Sequence, residues 1–191
     1  MAGRAENSGG RRWGRWRIAA WAIAALMLPL PLVAMRFTDE VNWDGTDFIV
    51  AGALVAGTGL AFELAARANA GHAYRAAVGL ALAAAFLLVW LNLAVGIVGT
   101  ENDPFNLMFG GVLAVGIIGA VVARFRPDGM ARALFATALT QALVAVIALV
   151  AGSGLTEPIW PLTGFFGALW LGSAWLFRKA AREQTLAGAA P

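Results

Sequence analysis

The sequence predicts an all-α fold, a polytopic membrane helix bundle with six transmembrane helices. The chain of 191 residues is 60% hydrophobic and only 13% charged, whereas a soluble domain carries about 25% charged residues. Long uncharged runs recur six times along the chain, and short polar connectors separate them. One crossing needs about 20 predominantly apolar residues, so each run is about long enough for one transmembrane helix.

The expected organisation is a basic cytoplasmic tail at 1–17, a six-helix transmembrane domain at 18–177 and a second cytoplasmic tail at 178–191. None of the apolar runs alternates as a barrel strand would. An uncleaved first helix is favoured over a signal peptide, because its apolar stretch is long and Leu32-Val33-Ala34 is a weak cleavage site. The six helices are expected at about 18–37, 47–67, 75–99, 104–124, 131–152 and 158–177.

Turn residues mark the helix ends. Pro29 and Pro31 should kink the first helix, because each proline removes a backbone donor. The segment 44–47 offers a turn and an N-cap for the second helix. Pro104 stands near the first turn of the fourth helix, and the segment 126–129 has the composition of a tight turn before the fifth.

The distribution of charge predicts the orientation. All of the 14 basic residues except Arg36 fall in the two tails and in the second and fourth connections, while the other connections carry acidic residues. Basic residues are enriched on the cytoplasmic side of a bacterial inner membrane. An even number of helices with the N- and C-termini both cytoplasmic therefore explains the pattern. It also makes membrane lipids, rather than nucleic acid, the expected partner of the basic ends.

The second and third helices resemble the fourth and fifth at an offset of 57 residues. Ala66-Arg67 matches Ala123-Arg124, and Arg75-Ala76 matches Arg132-Ala133. Both hairpins would run in the same direction, so a true repeat would have a pseudo-twofold axis along the membrane normal. Two unrelated hydrophobic hairpins with basic turns would also look alike, and the sequence leaves both interpretations open.

Small residues spaced four apart indicate close helix packing, because they let backbones approach where lipid supplies no hydrophobic drive. These stripes suit a compact bundle, and a homo-oligomer or another membrane protein could use them too. They occur at Ala53, Gly57, Ala61 and Ala65, at Ala77, Ala81 and Ala85, at Gly116 and Ala120, and at Gly164, Ala168 and Gly172.

Polar residues within the apolar runs are candidates for function, since each needs a partner in lipid. The structural alternatives are that Asn and Gln bridge helices, that Glu63 pairs with Arg67 four residues on, and that threonine hydroxyls bond to the preceding helical turn. The candidate intramembrane site consists of Asn92, Gln141, Thr137 and Glu63.

A second candidate site lies at the outer rim. Its acidic residues could attract cations, although solvated surface carboxylates and turn residues have the same composition. The residues concerned are Glu101, Asn102, Asp103, Asn106, Asp44 and Asp47.

The stretch from Trp90 to Met108, WLNLAVGIVGTENDPFNLM, resembles a segment of an uncharacterised family of bacterial multi-pass inner-membrane proteins. The similarity extends over roughly Val41 to Gly152. It implies an inner-membrane location, and no activity is attached to that family. If its signature includes Asn92, Glu101, Asn102, Pro104 and Asn106, the outer ends of the third and fourth helices are the expected site.

Several kinds of chemistry are not expected. The chain has no cysteine and one histidine, His72, which lies in a predicted cytoplasmic loop. A thiolate site, a multi-histidine metal site and a haem with an axial histidine are therefore not expected, and neither is a cofactor. Ser153 and Ser173 have no evident base, so no catalytic residue is assigned.

Three functional hypotheses follow. The first is a non-enzymatic scaffold, accessory or assembly subunit, supported by the small-residue stripes and the sparse polar chemistry. The second is a small transporter or channel for an ion or small solute, supported by Asn92, Gln141 and the acidic outer side. The third, less favoured, is an intramembrane enzyme.

Overall fold

A computed structural model of the chain describes residues 21–22, 25–26, 28–37, 43–68, 71–94, 97, 104–152 and 159–189. Over these residues the regular structure is entirely helical, so the all-α prediction is confirmed. The chain divides into two units, residues 1–60 and residues 61–191. The helices are α1 (Leu30–Ala34), α2 (Gly45–Ala68), α3 (His72–Ala94), α4 (Leu107–Val122), α5 (Pro127–Val150) and α6 (Ile159–Gly188), with a 3-10 turn at Pro104–Asn106.

Three of these helices are long and apolar enough to cross a membrane: α2 over Gly45–Arg67, α3 over His72–Leu93 and α5 over Pro127–Val150. Helix α4 is also apolar, but it has 16 residues and rises only about 24 Å at about 1.5 Å per residue. A membrane protein built from helices is therefore supported by length and composition, while the count of six crossings stays a prediction.

A proline-containing turn interrupts the helical structure before α1. Leu28 and Pro29 form a turn, and α1 begins at Leu30 with Pro31 in its first turn. The expected disruption by Pro29 is observed, since a proline is tolerated at a helix start but not inside a helix. Residues 18–20, 23–24 and 27 of the predicted first helix, 18–37, lie outside the described residues.

The start of α2 carries the predicted cap. One carboxylate oxygen of Asp44 accepts hydrogen bonds from the backbone N–H groups of Thr46 (2.7 Å) and Asp47 (3.0 Å). In return, Asp47 Oδ2 accepts from the N–H of Asp44 at 2.8 Å. This reciprocal arrangement satisfies backbone donors that the first helical turn leaves free.

Helix α5 begins earlier than the sequence suggested. The expected tight turn at 126–129 is in fact the first turn of α5, with Pro127 at the helix start and Asp128 in the first turn. Both positions are favourable there, because proline presets the helical φ and a carboxylate complements the helix dipole. The chain reverses direction just before α5, at Arg124 and Phe125, whose φ angles are 50° and 57°.

Helices α4 and α5 pack closely through small residues. A Cβ atom added to Gly119 would lie 2.6 Å from Ala133 Cβ, and one added to Gly129 would lie 2.6 Å from Ala123 Cβ. A Cβ atom added to Gly116 would lie 3.3 Å from the hydroxyl oxygen of Thr137. The predicted stripe at Gly116 is thus used for close helix approach.

The two hairpins of the possible repeat, α2–α3 and α4–α5, differ at the position of Gly119. At the offset of 57 residues, Gly119 corresponds to Phe62. A Cβ on Gly79 would meet the Phe62 ring at 3.4 Å, so an aromatic side chain fills this part of the first hairpin. The close approach of the second hairpin therefore depends on a glycine that the first lacks, and the duplication stays a prediction.

The core of residues 61–191 is formed by α3, α4, α5 and α6. Helix α5 packs against α4 and α6, and α6 also packs against α3. Ser173 on α6 donates a hydrogen bond of 2.6 Å to the backbone oxygen of Ala77 on α3. The largest fully buried side chains among the described residues are Phe109, Phe166, Phe177 and Leu88.

Tyr74 joins three elements at one end of this unit. Its hydroxyl donates to the backbone oxygen of Phe125 in the α4–α5 turn at 3.1 Å. Its ring meets Phe177 on α6 edge to face, with centroids 5.3 Å apart. We call this the basic end, because the residues near these contacts include Arg75, Arg124, Arg126, Arg132, Arg178, Lys179 and Arg182.

Helix α6 continues past the expected membrane boundary. The segment 178–191 was expected as a separate tail, yet the helix runs to Gly188. Ala180 and Ala181 are buried, so this segment still packs against the unit. With 30 residues, α6 is about 45 Å long, which exceeds a hydrocarbon core of about 30 Å.

Candidate functional site

Gln141 is the most unusual polar residue of the interior. It lies near the middle of α5, its side chain is 1% exposed, and neither Oε1 nor Nε2 has a hydrogen-bond partner among the described residues. Trp170 on α6 is 3% exposed, and its indole N–H also lacks a partner there. Leaving a buried polar group unsatisfied costs about 1–3 kcal/mol, so each such group needs an explanation.

Thr137 lies one turn before Gln141 and is fully buried. Its hydroxyl donates to the backbone oxygen of Ala133 at 2.9 Å, and Thr140 does the same to Ala136. The predicted bond to the preceding helical turn is therefore observed for both threonines. Because this bond lies within one helix, Thr137 brings no partner to Gln141, and its contact with Gly116 is one of packing.

Glu63 pairs with Arg67, as the four-residue spacing suggested. The guanidinium Nη2 of Arg67 lies 3.3 Å from Glu63 Oε2, with the arginine side chain 70% and the glutamate 15% exposed. Pairs of this kind at a surface are worth less than about 1 kcal/mol. The geometry supports a local structural role, and a functional role of Glu63 stays a prediction.

Asn92 and Asn106 are brought together. The two candidate sites had separated them, whereas the family resemblance grouped both at the outer ends of the third and fourth helices. Asn92 Nδ2 donates to the backbone oxygen of Asn106 at 2.9 Å, and Asn106 Oδ1 accepts from the N–H of Ile97 at 2.9 Å. Asn106 is 5% exposed. The two amides therefore tie the end of α3 to the 3-10 turn before α4, which satisfies backbone groups where the chain reverses.

The outer-rim site is described only in part. Asp44 and Asp47 form the cap of α2 and belong to the first unit, whereas Asn106 belongs to the second. The remaining members, Glu101, Asn102 and Asp103, lie outside the described residues. Within the described part of the chain, no group of three or more potential ligands (His, Cys, Asp and Glu) is placed to hold a metal ion.

Three polar features of residues 61–191 were not predicted from the sequence. Ser173 was considered only as a nucleophile, and neither Trp170 nor Tyr74 was considered as a polar group. Tyr74 is the only tyrosine of the chain and stands at a helix start rich in basic residues. Of the three residues, it is the one that the sequence alone could have singled out. The other two depend on which helices face each other.

Comparison with known proteins adds no assignment, since no protein-family model, curated protein or solved structure matches the chain. The resemblance carried by Trp90–Met108 therefore stays a prediction.

Proposed function

We propose that this chain is a multi-pass inner-membrane protein without enzymatic activity, which acts as a scaffold, accessory or assembly subunit for another membrane protein or a second copy of itself. It would cross the membrane six times, with both termini in the cytoplasm. The proposal is supported by the sparse polar chemistry of the described helices and by the character of their outer faces.

The proposed orientation is supported by the contacts of Tyr74. They gather the start of α3, the α4–α5 turn and the later part of α6 at the basic end. The opposite ends of these helices carry no lysine or arginine over the described residues 88–94, 104–110 and 146–152. Cytoplasmic ends of membrane helices are rich in arginine and lysine, so we assign the basic end to the cytoplasmic side.

The observation that carries the scaffold proposal is that small residues lie on outward faces. Gly110 and Ala114 on α4 are exposed, and so are Gly164 and Ala168 on α6. A Cβ atom built on Gly110 or Gly164 would meet nothing within 4 Å. Faces of this kind let another helix approach closely in lipid, and we propose that a partner helix packs there.

A non-enzymatic role is supported by the state of the only described serine in the helices. The hydroxyl of Ser173 is buried and donates to a backbone carbonyl rather than facing a base. A nucleophilic serine needs a base within hydrogen-bond reach.

The alternative is a small transporter or channel, and Gln141 favours it. A buried amide whose two polar atoms lack partners among the described residues could be satisfied by water or by a passing solute. Asn92 adds less support, because its amide N–H already bonds to Asn106 and only its buried Oδ1 lacks a partner among the described residues.

The scaffold proposal is tested by purifying the tagged full chain from native membranes into lipid-preserving polymer discs and quantifying the proteins that accompany it. Gly110→Leu and Gly164→Leu should reduce partner recovery by about tenfold or more, which corresponds to about 1.4 kcal/mol of contact free energy. Ile117→Leu is the matched control, since Ile117 is 65% exposed on α4 and is already large.

A second copy with a different tag, expressed in the same cells, distinguishes a homo-oligomer from a hetero-complex. Recovery of only monomer and lipid with the unmodified chain would contradict the scaffold proposal. Equal recovery with the glycine variants and the control would exclude these two faces as the contact.

A further inference from the structure

A groove opens at the basic end, between the start of α5 and the last third of α6. Its volume is about 630 Å³. The lining combines arginine side chains with small buried residues and a few polar ones, namely Asp128, Ala131, Arg132, Arg178, Ala181, Arg182, Thr185 and Leu186.

The groove carries an excess of positive charge. Arg132 enters from α5, and Arg178 and Arg182 enter from α6, one turn apart. Among the described residues, no hydrogen bond or ion pair engages any of these three guanidinium groups. The one carboxylate of the lining, Asp128, offsets a single charge. Guanidinium forks match phosphate oxygens in geometry and charge, so the groove suits a phosphate group.

The floor and the membrane side of the groove are apolar. Ala131 and Ala181, which line the groove, are buried. Phe135 and Leu139 lie about one and two turns beyond Arg132 on α5, and they are 47% and 58% exposed. Along α6 in the same direction, Trp175 and Leu171 are 63% and 46% exposed. Because helical neighbours three to four residues apart share a face, an apolar surface follows directly on the basic groove.

We propose that this groove binds the phosphate headgroup of an anionic phospholipid of the inner leaflet, with the acyl chains against Phe135, Leu139, Leu171 and Trp175. A basic pocket between helices at the cytoplasmic side is the form of site that recognises anionic headgroups. Free phosphate would engage the arginines but would make no use of the apolar surface beside them. The assignment rests on the proposed membrane orientation and is independent of any protein partner.

The test uses the full chain in detergent and native mass spectrometry of lipid-bound states. Phosphatidylglycerol is titrated against phosphatidylcholine of the same acyl length. The triple variant Arg132→Gln, Arg178→Gln and Arg182→Gln should bind phosphatidylglycerol about tenfold or more weakly, since up to three charge-assisted hydrogen bonds are lost. The control triple Arg124→Gln, Arg126→Gln and Lys179→Gln removes the same charge from the basic end outside the groove and should change binding by less than about twofold.

Helical circular dichroism and thermal unfolding verify that both triples are folded. If the groove triple fails to fold, Arg182→Gln alone replaces it, since Arg182 is exposed on the last third of α6, and a loss of about threefold or more is then required. Equal weakening by the two triples would show general charge attraction and overturn the site. Equal affinity for phosphatidylcholine would overturn it too.

Two competition arms distinguish the source of the phosphate. Short-chain phosphatidylglycerol should displace the bound lipid, and inorganic phosphate at the same concentration should not. Displacement by inorganic phosphate alone would overturn the lipid assignment in favour of a free-anion site. None of these outcomes bears on partner recovery, so a failure of this site and a failure of the scaffold proposal are distinguishable.

Discussion

Gly119→Leu is expected to lower the free energy of unfolding by about 3 kcal/mol, or to prevent folding, because the α4–α5 contact has no room for a side chain. The first added carbon would already lie 2.6 Å from Ala133 Cβ and 3.3 Å from its Cα. The Cα belongs to helix backbone, so the neighbour cannot turn away as a flexible side chain could. Unfolding in detergent by added dodecyl sulfate, followed by tryptophan fluorescence, measures the change.

Gly110→Leu is the matched control, since it makes the same substitution on the same helix. Nothing lies within 4 Å of a Cβ built on Gly110, so its effect on the isolated chain should stay within about 0.5 kcal/mol. Equal losses for the two variants would mean that α4 does not pack on α5 as described. The control also separates folding from assembly, because the same variant is expected to weaken partner recovery.

Gln141→Met is expected to raise the free energy of unfolding by about 1–3 kcal/mol, since it replaces two buried polar atoms without described partners by an apolar side chain of similar length. Thr137→Val is the control one turn away. Its hydroxyl bond stays within α5, and the change should therefore be less than about 1 kcal/mol. The same unfolding titration measures both variants.

A loss of stability in Gln141→Met would contradict this expectation. It would indicate that the amide has a partner in the membrane, such as water, a solute or another chain, and would favour the transport alternative. Flux measurements in proteoliposomes then give the deciding comparison, because a channel that uses Gln141 should lose flux in this variant whereas a scaffold has none to lose.

Features governed by neighbouring residues in the sequence could be predicted. The pair of Glu63 with Arg67, the hydroxyl bonds of Thr137 and Thr140, and the cap at Asp44 each join groups within four residues, and all are observed. Helical geometry alone brings such groups together.

Helix ends were less predictable where one motif fits two structures. The segment Arg126–Gly129 has turn composition, yet proline and aspartate are equally suited to a first helical turn. Nothing in the residue pattern indicates that left-handed backbone at Arg124 and Phe125 makes the reversal instead. The tail after 177 is polar, which hid its continuation as the end of α6.

The remaining features could not be predicted because they depend on tertiary contacts between helices. The stripes at Gly116 and Gly164 look alike in the sequence, but one faces Thr137 and the other faces outward. Asn92 and Asn106 are 14 residues apart and were both expected at the outer ends of the third and fourth helices, but the hydrogen bond between them depends on the path of the connecting chain. The groove combines Arg132 with Arg178 and Arg182, which only the packing of α5 against α6 brings together.

The most direct test of the account is the labelling of single cysteines with a membrane-impermeant maleimide, which needs no background removal because the chain has no cysteine. In intact spheroplasts, the Thr46→Cys and Ala151→Cys variants should react, since both sites are predicted to face outward. The His72→Cys and Arg126→Cys variants should react only after the membrane is permeabilised. If all four variants react in intact spheroplasts, or if none reacts until the membrane is permeabilised, both pairs lie on one side of the membrane. Either result would contradict a chain whose hydrophobic helices alternate across the bilayer.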